Sequence, residues 1–458
     1  MSYTAIGVDE CDNLYVVFGD DGQYGTNSFG GVQDCYVFKY IIPHDSAIYL
    51  GSLRETAEAA GNLEDDEPFF KGHTHIVQLG NKMYFGTQAF HDINEYMGNL
   101  NDTVTIRGGH IFSISIPDGE LVDESVNHPD GVFVKHQGIN SLTASPWDNL
   151  LFGLTLPSGH IVIYDPETEE SELVQGIRSE VGPAIGREII ATPEHKVYSS
   201  YSSNTVYAYD VNTKNRSKVN FGVSGAFWNG QCRKKDGSNV YFNTGDGNIY
   251  ELNTRTENCR RIGSMGGNGL VLWTLAFSPD EDKLYGIPSC SEAKWGQSCP
   301  SGNMKYNLVE MDISSGNTRS LVDLNGKFEN STYGQYSGSQ AMDSRGSIYF
   351  IRCDDYDDNL WRDDGDVVQF DFGYPEPDDW GKRCRTKVSP KGADQKVQKY
   401  QRVTAKVEAV TFYDLRGRVV PNGNVKSAAE TLNKGIYIVR TGGSTTREAS
   451  AARLLMVK

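Results

Sequence analysis

Short apolar runs with alternating polar positions, each broken by Gly, Asn or Asp, follow one another along most of the chain. Apolar stretches with a 3.6-residue period are nearly absent, so the pattern predicts many short strands joined by polar turns. The pattern also repeats. A unit of about fifty residues recurs: an apolar strand, a polar turn, a strand carrying a tyrosine or phenylalanine, a loop, a third strand, and after a further turn a weaker fourth. The clearest copies run over 149–173, 196–219 and 239–262, where the third strand closes in Tyr164-Asp165-Pro166-Glu167-Thr168, Tyr209-Asp210-Val211-Asn212-Thr213 and Tyr250-Glu251-Leu252-Asn253-Thr254. Weaker copies begin near Tyr3, His73, Leu270 and Gly338. Seven units over roughly 375 residues, about 53 residues each, match four-stranded propeller blades. The expected fold is all-β: a seven-bladed β-propeller over 1–375, a last outer strand and linker over 376–400, and a small C-terminal β-sandwich over 401–458. The first break falls at Pro375-Glu376-Pro377-Asp378-Asp379.

A propeller has a functional face that can be read from the repeat. The segment entering each innermost strand and the loop joining the second and third strands open on the same side. Entering segments then contribute His73 and His75 in the second blade, His136 and Gln137 in the third, Arg187 in the fourth, Trp228 and Asn229 in the fifth, Trp273 in the sixth and Gln340 in the seventh. The second-to-third strand loops are tight in the third to fifth blades, as in Pro157-Ser158-Gly159 and Ser202-Ser203-Asn204. They are long at 19–32, 91–109, 290–304 and 354–365, in four blades that neighbour one another on the ring. The expectation is a wall over half of the face and an open-sided cleft suited to an extended ligand.

Composition narrows the partners. The 458 residues carry a formal charge of −17, which argues against nucleic acid as a general partner because phosphate recognition needs a basic face. An anionic ligand would have to meet a local basic patch, for which Lys71, Arg107 and Lys135 are candidates. No apolar run is long enough to span a membrane. No secretory signal opens the chain, and its start straight into a strand reads as a trimmed leader. The eight cysteines show no CxxC spacing, so disulfides in an oxidising compartment are favoured over thiolate metal sites. The preferred pairs are Cys11 with Cys35, Cys232 with Cys259, Cys290 with Cys299, and Cys353 with Cys384.

The candidate chemistry centres on Lys71-Gly72-His73-Thr74-His75, with His91 one short strand later; three of the nine histidines fall within this span. An imidazole with an ordinary pKa of roughly 6.5 suits proton abstraction near neutrality. His-x-His with a third histidine equally suits zinc or manganese, and structural hydrogen bonding is the plainer role for any one of them. Arg187 suits a bidentate clamp on a carboxylate or sulfate, or a pair with Glu188 or Glu180. Tyr198 and Tyr201 end a second strand, as phenol donors over the funnel or as core. Trp228, Trp273 and Trp295 suit stacking on sugars or packing between blades. The acidic loop Asp354-Asp355-Tyr356-Asp357-Asp358-Asn359 has oxygens for calcium without EF-hand spacing. The G-x-S-x-G elbow, P-loop and H-E-x-x-H motifs do not occur.

Two resemblances follow from these residues. Val407 to Asp414, Leu415-Arg416-Gly417-Arg418, Leu432 to Arg440 and Arg453-Leu454-Leu455-Met456-Val457-Lys458 resemble the C-terminal sorting domain of the type IX secretion system of Bacteroidetes-like bacteria. That resemblance implies contact with the secretion machinery and a secreted or cell-surface location. The segment from Gly72 to His91, Arg187 and the blade count resemble the seven-bladed polysaccharide lyases, especially ulvan lyases. This implies β-elimination at a uronic acid of an anionic, sulfated polysaccharide. His73 or His75 would be the base with His91 beside it, Arg187 would neutralise the carboxylate, and Tyr201 would serve as acid or share that role with a histidine. Arg107, His136, Gln137, Trp228, Asn229 and Trp273 would line the substrate path. The protein would work as a monomer and require no cofactor, with a zinc or calcium ion as the alternative. The rival readings are a glycan-binding or adhesion propeller and a metal-dependent glycan-degrading enzyme.

Overall fold

Each predicted repeat folds as an antiparallel sheet whose strands follow one another outward from a common axis. The computed structural model describes residues 5–19, 34–65, 67–69, 71–88, 107–116, 118–176, 186–200, 205–266, 270–272, 274–290, 307–324, 334–339, 341–354, 365–380, 410–413, 419–420, 435–441 and 452–457. The innermost strands are Ala5–Val8, Lys71–Leu79, Gly138–Ser145, Ile189–Thr192, Phe227–Arg233, Thr274–Phe277 and Gly334–Ser339. Blades one to six each show four strands, and the described part of the seventh shows three.

A sheet with two apolar faces needs a neighbour on each side, and the core shows that every blade has both. The buried apolar side chains fall into seven clusters, one between each pair of adjacent blades. The ring is closed by the cluster that joins the first blade to the last, where Ile6, Leu14 and Val16 pack with Ala341, Tyr349 and Ile351. Around the axis the inner strands approach so closely that two neighbouring pairs bridge in parallel, at Ile6 with His75 and at Thr274 with Gly338. These bridges merge blades one and two, and blades six and seven, into continuous sheets.

The aromatic position read in each second strand is the anchor of these interfaces. Tyr15, Tyr84, Tyr198, Tyr241, Tyr285 and Tyr349 occupy it, with Phe152 in the third blade, and all are buried. A buried phenol needs an acceptor. Tyr15 donates to Asp9 at 3.0 Å and Tyr349 to Asp343 at 2.8 Å, six residues upstream in both cases. The same carboxylates take the amides of the turn between first and second strands: Asp9 accepts from Cys11 and Asn13, and Asp343 from Arg345 and Ser347. One Asp therefore fixes both the turn and the tyrosine that follows it. Tyr198 donates to Glu257 at 2.5 Å and sits in the core between blades four and five, which is the packing role weighed for it.

Two of the expected disulfides are not formed. Cys35 carries a thiol whose Sγ donates to the Phe69 carbonyl at 3.3 Å, so Cys11 is not joined to it. Cys232 and Cys259 are both thiols, because each belongs to a different interface of the fifth blade: Cys232 faces the sixth blade and Cys259 packs on the fourth. The Cys290–Cys299 and Cys353–Cys384 pairings lie outside the described side chains, as do the four long loops almost entirely. The outer strand expected in 376–400 is not formed as far as Trp380, where the chain makes a turn and Trp380 packs against the first and last blades; residues 381–409 lie outside the description. Further on, Val410–Tyr413, Gly435–Thr441 and Ala452–Val457, which overlap segments read as strands, form one antiparallel sheet together with Val419–Val420, which follows the Leu415 to Arg418 segment rather than lying within it.

The close approach of inner strands depends on Gly7. A Cβ there would lie 2.1 Å from the carbonyl oxygen of Ile76 in the neighbouring blade, backbone against backbone with no flexible group to yield. Gly7→Ala is expected to destabilise the propeller by about 1–3 kcal/mol, the usual cost of overpacking a close-packed contact. A urea titration measures it, and an unchanged midpoint would show that the two inner strands can separate without cost.

Candidate functional site

The entering segment and the second-to-third strand turn do share a face, as Gln137 shows directly. Its Oε1 accepts from the amide of Ser158 at 2.8 Å and from Thr155 at 3.3 Å, so the carboxamide holds the tight 157–159 turn of its own blade. Pairing of Gly138 with Leu156 and of Lys71 with Gln88 puts the first residues of these inner strands at that same end.

His73 and His75 lie within the second inner strand rather than in a loop before it, and both are buried, at 1% and 4% exposure. An irregularity in pairing between His73 and Val77 displaces this stretch from regular register. Burial, and then the charges of Lys71 and Arg187, hold the His73 imidazole well below its ordinary 6.5, while a hydrogen bond with the Asn140 backbone works the other way. His73 is therefore neutral near pH 7, with two cations from two different blades acting on it. Lys71 is itself buried at the mouth end of the strand.

His75 reaches further across the axis. Its Nε2 lies 2.5 Å from Oε1 of Glu188, a fully buried carboxylate that immediately precedes the inner strand of the fourth blade. The other oxygen of Glu188 accepts from Gln231 Nε2 of the fifth blade at 2.6 Å and from Ser141 Oγ of the third at 3.4 Å. Gln231 also donates to the Ile189 carbonyl at 3.1 Å. One carboxylate thus meets side chains from blades two, three and five while belonging to blade four. Nδ1 of His75 is buried and has no hydrogen-bond partner among the described residues. Beside this hub the backbone is tied across blades, with Arg187 N donating to Phe227 O at 2.8 Å and Asn140 Nδ2 to Gly186 O at 3.3 Å.

The other nominated residues take separate places. His136 is exposed in a left-handed turn at φ 58°, its amide donating to Arg107 O at 2.8 Å. Arg107 points inward rather than to a rim: its guanidinium contacts Asn62 O at 2.8 Å, Glu67 Oε2 at 3.1 Å and Asp130 O at 2.8 Å. Trp228 and Asn229 lie in the fifth inner strand, and their side chains are outside the description; His91, Tyr201 and Trp273 are outside it entirely. Among the described residues no group of three or more His, Cys, Asp or Glu is arranged to hold a metal ion.

Two elements were missed from sequence. Glu188 was weighed only as a partner for Arg187, and its place at the entrance of an inner strand was the available signal. His110 gave no signal at all. It is buried between Asp123, 3.0 Å from Nδ1, and Glu67, 3.0 Å from Nε2, and it stacks on Phe112. Glu67 also holds Arg107, and Asn62 donates to Asp123 at 2.7 Å, so the segment after the short helix Leu53–Ala59 is fastened to the second blade by paired charges.

No family model matches the chain, and no curated protein matches it. Among solved structures it is similar to the Myceliophteria thermophila Cps50 (Swd1) β-propeller domain, at 9% identity and TM-score 0.47 over 77% of this chain and 94% of that one. It is similar to a chain of the Mitotic Checkpoint Complex at 12% identity and TM-score 0.46, over 76% of this chain and 86% of that one. It is also similar to Kuenenia stuttgartiensis Hydrazine Synthase at 15% identity and TM-score 0.41, over 64% of this chain and 78% of that one. The propeller assignment rests on the chain's own strand order and ring closure.

The buried charges around His110 set a pH dependence of stability. Burial opposes the imidazolium, but hydrogen bonds to Asp123 and Glu67 outweigh it and raise the pKa from 6.5 to about 8. Burial likewise opposes the two carboxylates, and His110, with Arg107 and Glu64 at Glu67 and with Asn62 and Ser125 at Asp123, more than offsets this, so both lie below their ordinary values. A folded pKa above the unfolded one gives stabilisation that is complete below pH 6.5 and is lost as pH rises through about 8; the carboxylate contribution is lost on the acid side. From well below the lower value to well above the higher one the unfolding free energy is expected to fall by about 2 kcal/mol, of which about 1.3 kcal/mol falls between them. His110→Gln should be less stable at the lower pH and lack this slope in denaturant titrations; an equal slope in the variant would remove His110 as its source.

Proposed function

We propose that the protein is a secreted polysaccharide lyase that cleaves an anionic, uronic-acid-containing polysaccharide by β-elimination. The observation that supports this reading is a neutral imidazole, His73, under the field of Arg187 and Lys71, with His75 beside it on the same inner strand. Elimination needs a base for the C5 proton and a cation for the neighbouring carboxylate, whose charge otherwise opposes formation of the carbanion-like transition state. A neutral imidazole is in the proton-accepting form at neutral pH. Two cations drawn from separate blades supply a local positive field within a chain of net charge −17. In this reading Arg187 clamps the carboxylate, His73 or His75 takes the proton, and Tyr201 and His91 complete the acid and base set. An ulvan-like, sulfated polymer is the substrate class. The C-terminal sheet is assigned to the type IX secretion machinery, the location to the bacterial surface or medium, and the working form to a monomer.

A second reading, a glycan-binding or adhesion propeller, draws support from the burial of both histidines and from the inward bonding of Arg107 and Gln137. The two readings part on turnover. Incubated with ulvan and related uronans, the protein is expected to raise ultraviolet absorbance steadily as unsaturated ends form. His73→Ala and His75→Ala should each lower the rate by about 10²–10⁴-fold if that residue is the base, and Arg187→Ala by about 10²–10³-fold, with far-ultraviolet circular dichroism showing that the variants fold. Binding without product would select the adhesion reading. A rate abolished by chelator and restored by zinc or calcium would select a metal-dependent enzyme.

A further inference from the structure

The polar atoms around Glu188 can be assigned donor and acceptor roles. Gln231 Nε2 and Ser141 Oγ both donate, so Oε2 of Glu188 is an acceptor. Glu188 is fully buried, and His75 Nε2 lies against Oε1 at 2.5 Å. An ionised carboxylate accepts on both oxygens, which makes Nε2 of His75 the protonated nitrogen. The lone pair then resides on Nδ1, the buried atom without a hydrogen-bond partner among the described residues. A nitrogen acceptor buried without a hydrogen bond is unfavourable, and the penalty is removed when a ligand donates to it or when it takes up a proton.

We infer that Glu188 is the positioning residue of the funnel: it fixes His75 as the Nε2–H tautomer and so makes Nδ1 the basic atom. The inference rests on the lyase reading for the identity of the proton that Nδ1 accepts. In that step the C5 hydrogen moves to Nδ1, its bonding pair becomes the C4–C5 double bond, the C4–oxygen bond breaks, and the leaving oxygen takes a proton from a general acid. The imidazolium that forms is opposed by the Glu188 carboxylate across the ring, the arrangement by which a carboxylate both orients and stabilises a catalytic imidazole. Gln231 and Ser141 hold Glu188 from two further blades, so the tautomer is set by four blades at once.

The test uses the full chain labelled with 15N at histidine. Long-range proton–nitrogen spectra near neutral pH are expected to show His75 as Nε2–H with a bare Nδ1, the resonance being identified by its loss in His75→Gln. Glu188→Gln offers one amide oxygen to two donors, so either His75 or Gln231 faces an NH2 group, and the tautomer should become mixed. In the lyase assay this variant should lose about 10–100-fold in rate, chiefly in kcat. The double variant Glu188→Gln with Gln231→Glu restores one acceptor for each donor and should recover the tautomer. A His75 that is Nδ1–H or imidazolium in the wild type, or a tautomer unmoved by Glu188→Gln, overturns the assignment even if uronans are cleaved. A wild type with the stated tautomer and no product overturns the lyase reading and leaves the assignment standing. Should Glu188→Gln fail to fold, the wild-type spectrum decides alone.

Discussion

A sheet that is apolar on both faces cannot stop being stacked until its first copy meets its last, and this constraint governs the molecule. Seven blades satisfy it with seven buried interfaces, each anchored by an aromatic residue from a second strand. Drawing the blades together forces the inner strands into contact near the axis, where Gly7 passes against the Ile76 carbonyl and parallel bridges form. Polar side chains carried on those strands are then removed from water whether or not they have partners. Burying a carboxylate without them would cost several kcal/mol. Glu188 is accommodated because His75, Ser141 and Gln231 converge on it from three other blades.

The electrostatics of the funnel follow from the same enclosure. Desolvation is the first cause of the low basicity of His73, and the cations Lys71 and Arg187 deepen it. A few ångströms along the same strand, His75 meets a carboxylate instead. Two histidines separated by one residue are therefore held in different electrical surroundings, one facing positive charge and one facing negative. His110, away from the axis, shows a third outcome, since two carboxylates overcome its burial. What distinguishes the three imidazoles is the neighbour each finds in another element, not its local sequence.

That distinction explains how much could be read from the chain alone. The alternation of apolar positions and the recurrent Tyr or Phe in second strands are local signals, and they yielded blade count, strand order and the C-terminal strands. His73, His75 and Arg187 were singled out because repeat counting put them at the entrances of inner strands, although the two histidines lie inside theirs. The Glu188 to His75 pair joins residues 113 apart in sequence across an intervening blade, and no periodicity encodes that. Arg107 and Gln137 carried the residue types of ligand contacts, yet both close local turns and segments once folded. Cysteine spacing misled for a related reason: Cys232 and Cys259 are near in sequence and in one blade, but the two faces of a sheet point to opposite neighbours.

The seam between the first and last blades adds a kinetic dimension. There Asp12 accepts from the amide and the hydroxyl of Ser344, at 2.7 and 2.6 Å, across 332 residues of chain. Loop-closure entropy makes contacts of such separation slow to form, and high contact order is the mark of slow-folding β proteins. During synthesis the first blade is made long before its second neighbour exists, so Ile6, Leu14 and Val16 wait with one face uncovered until the seventh blade arrives. The seam therefore locks late, and the geometry at the axis, assembled from blades two to five, can be in place before the circle is complete.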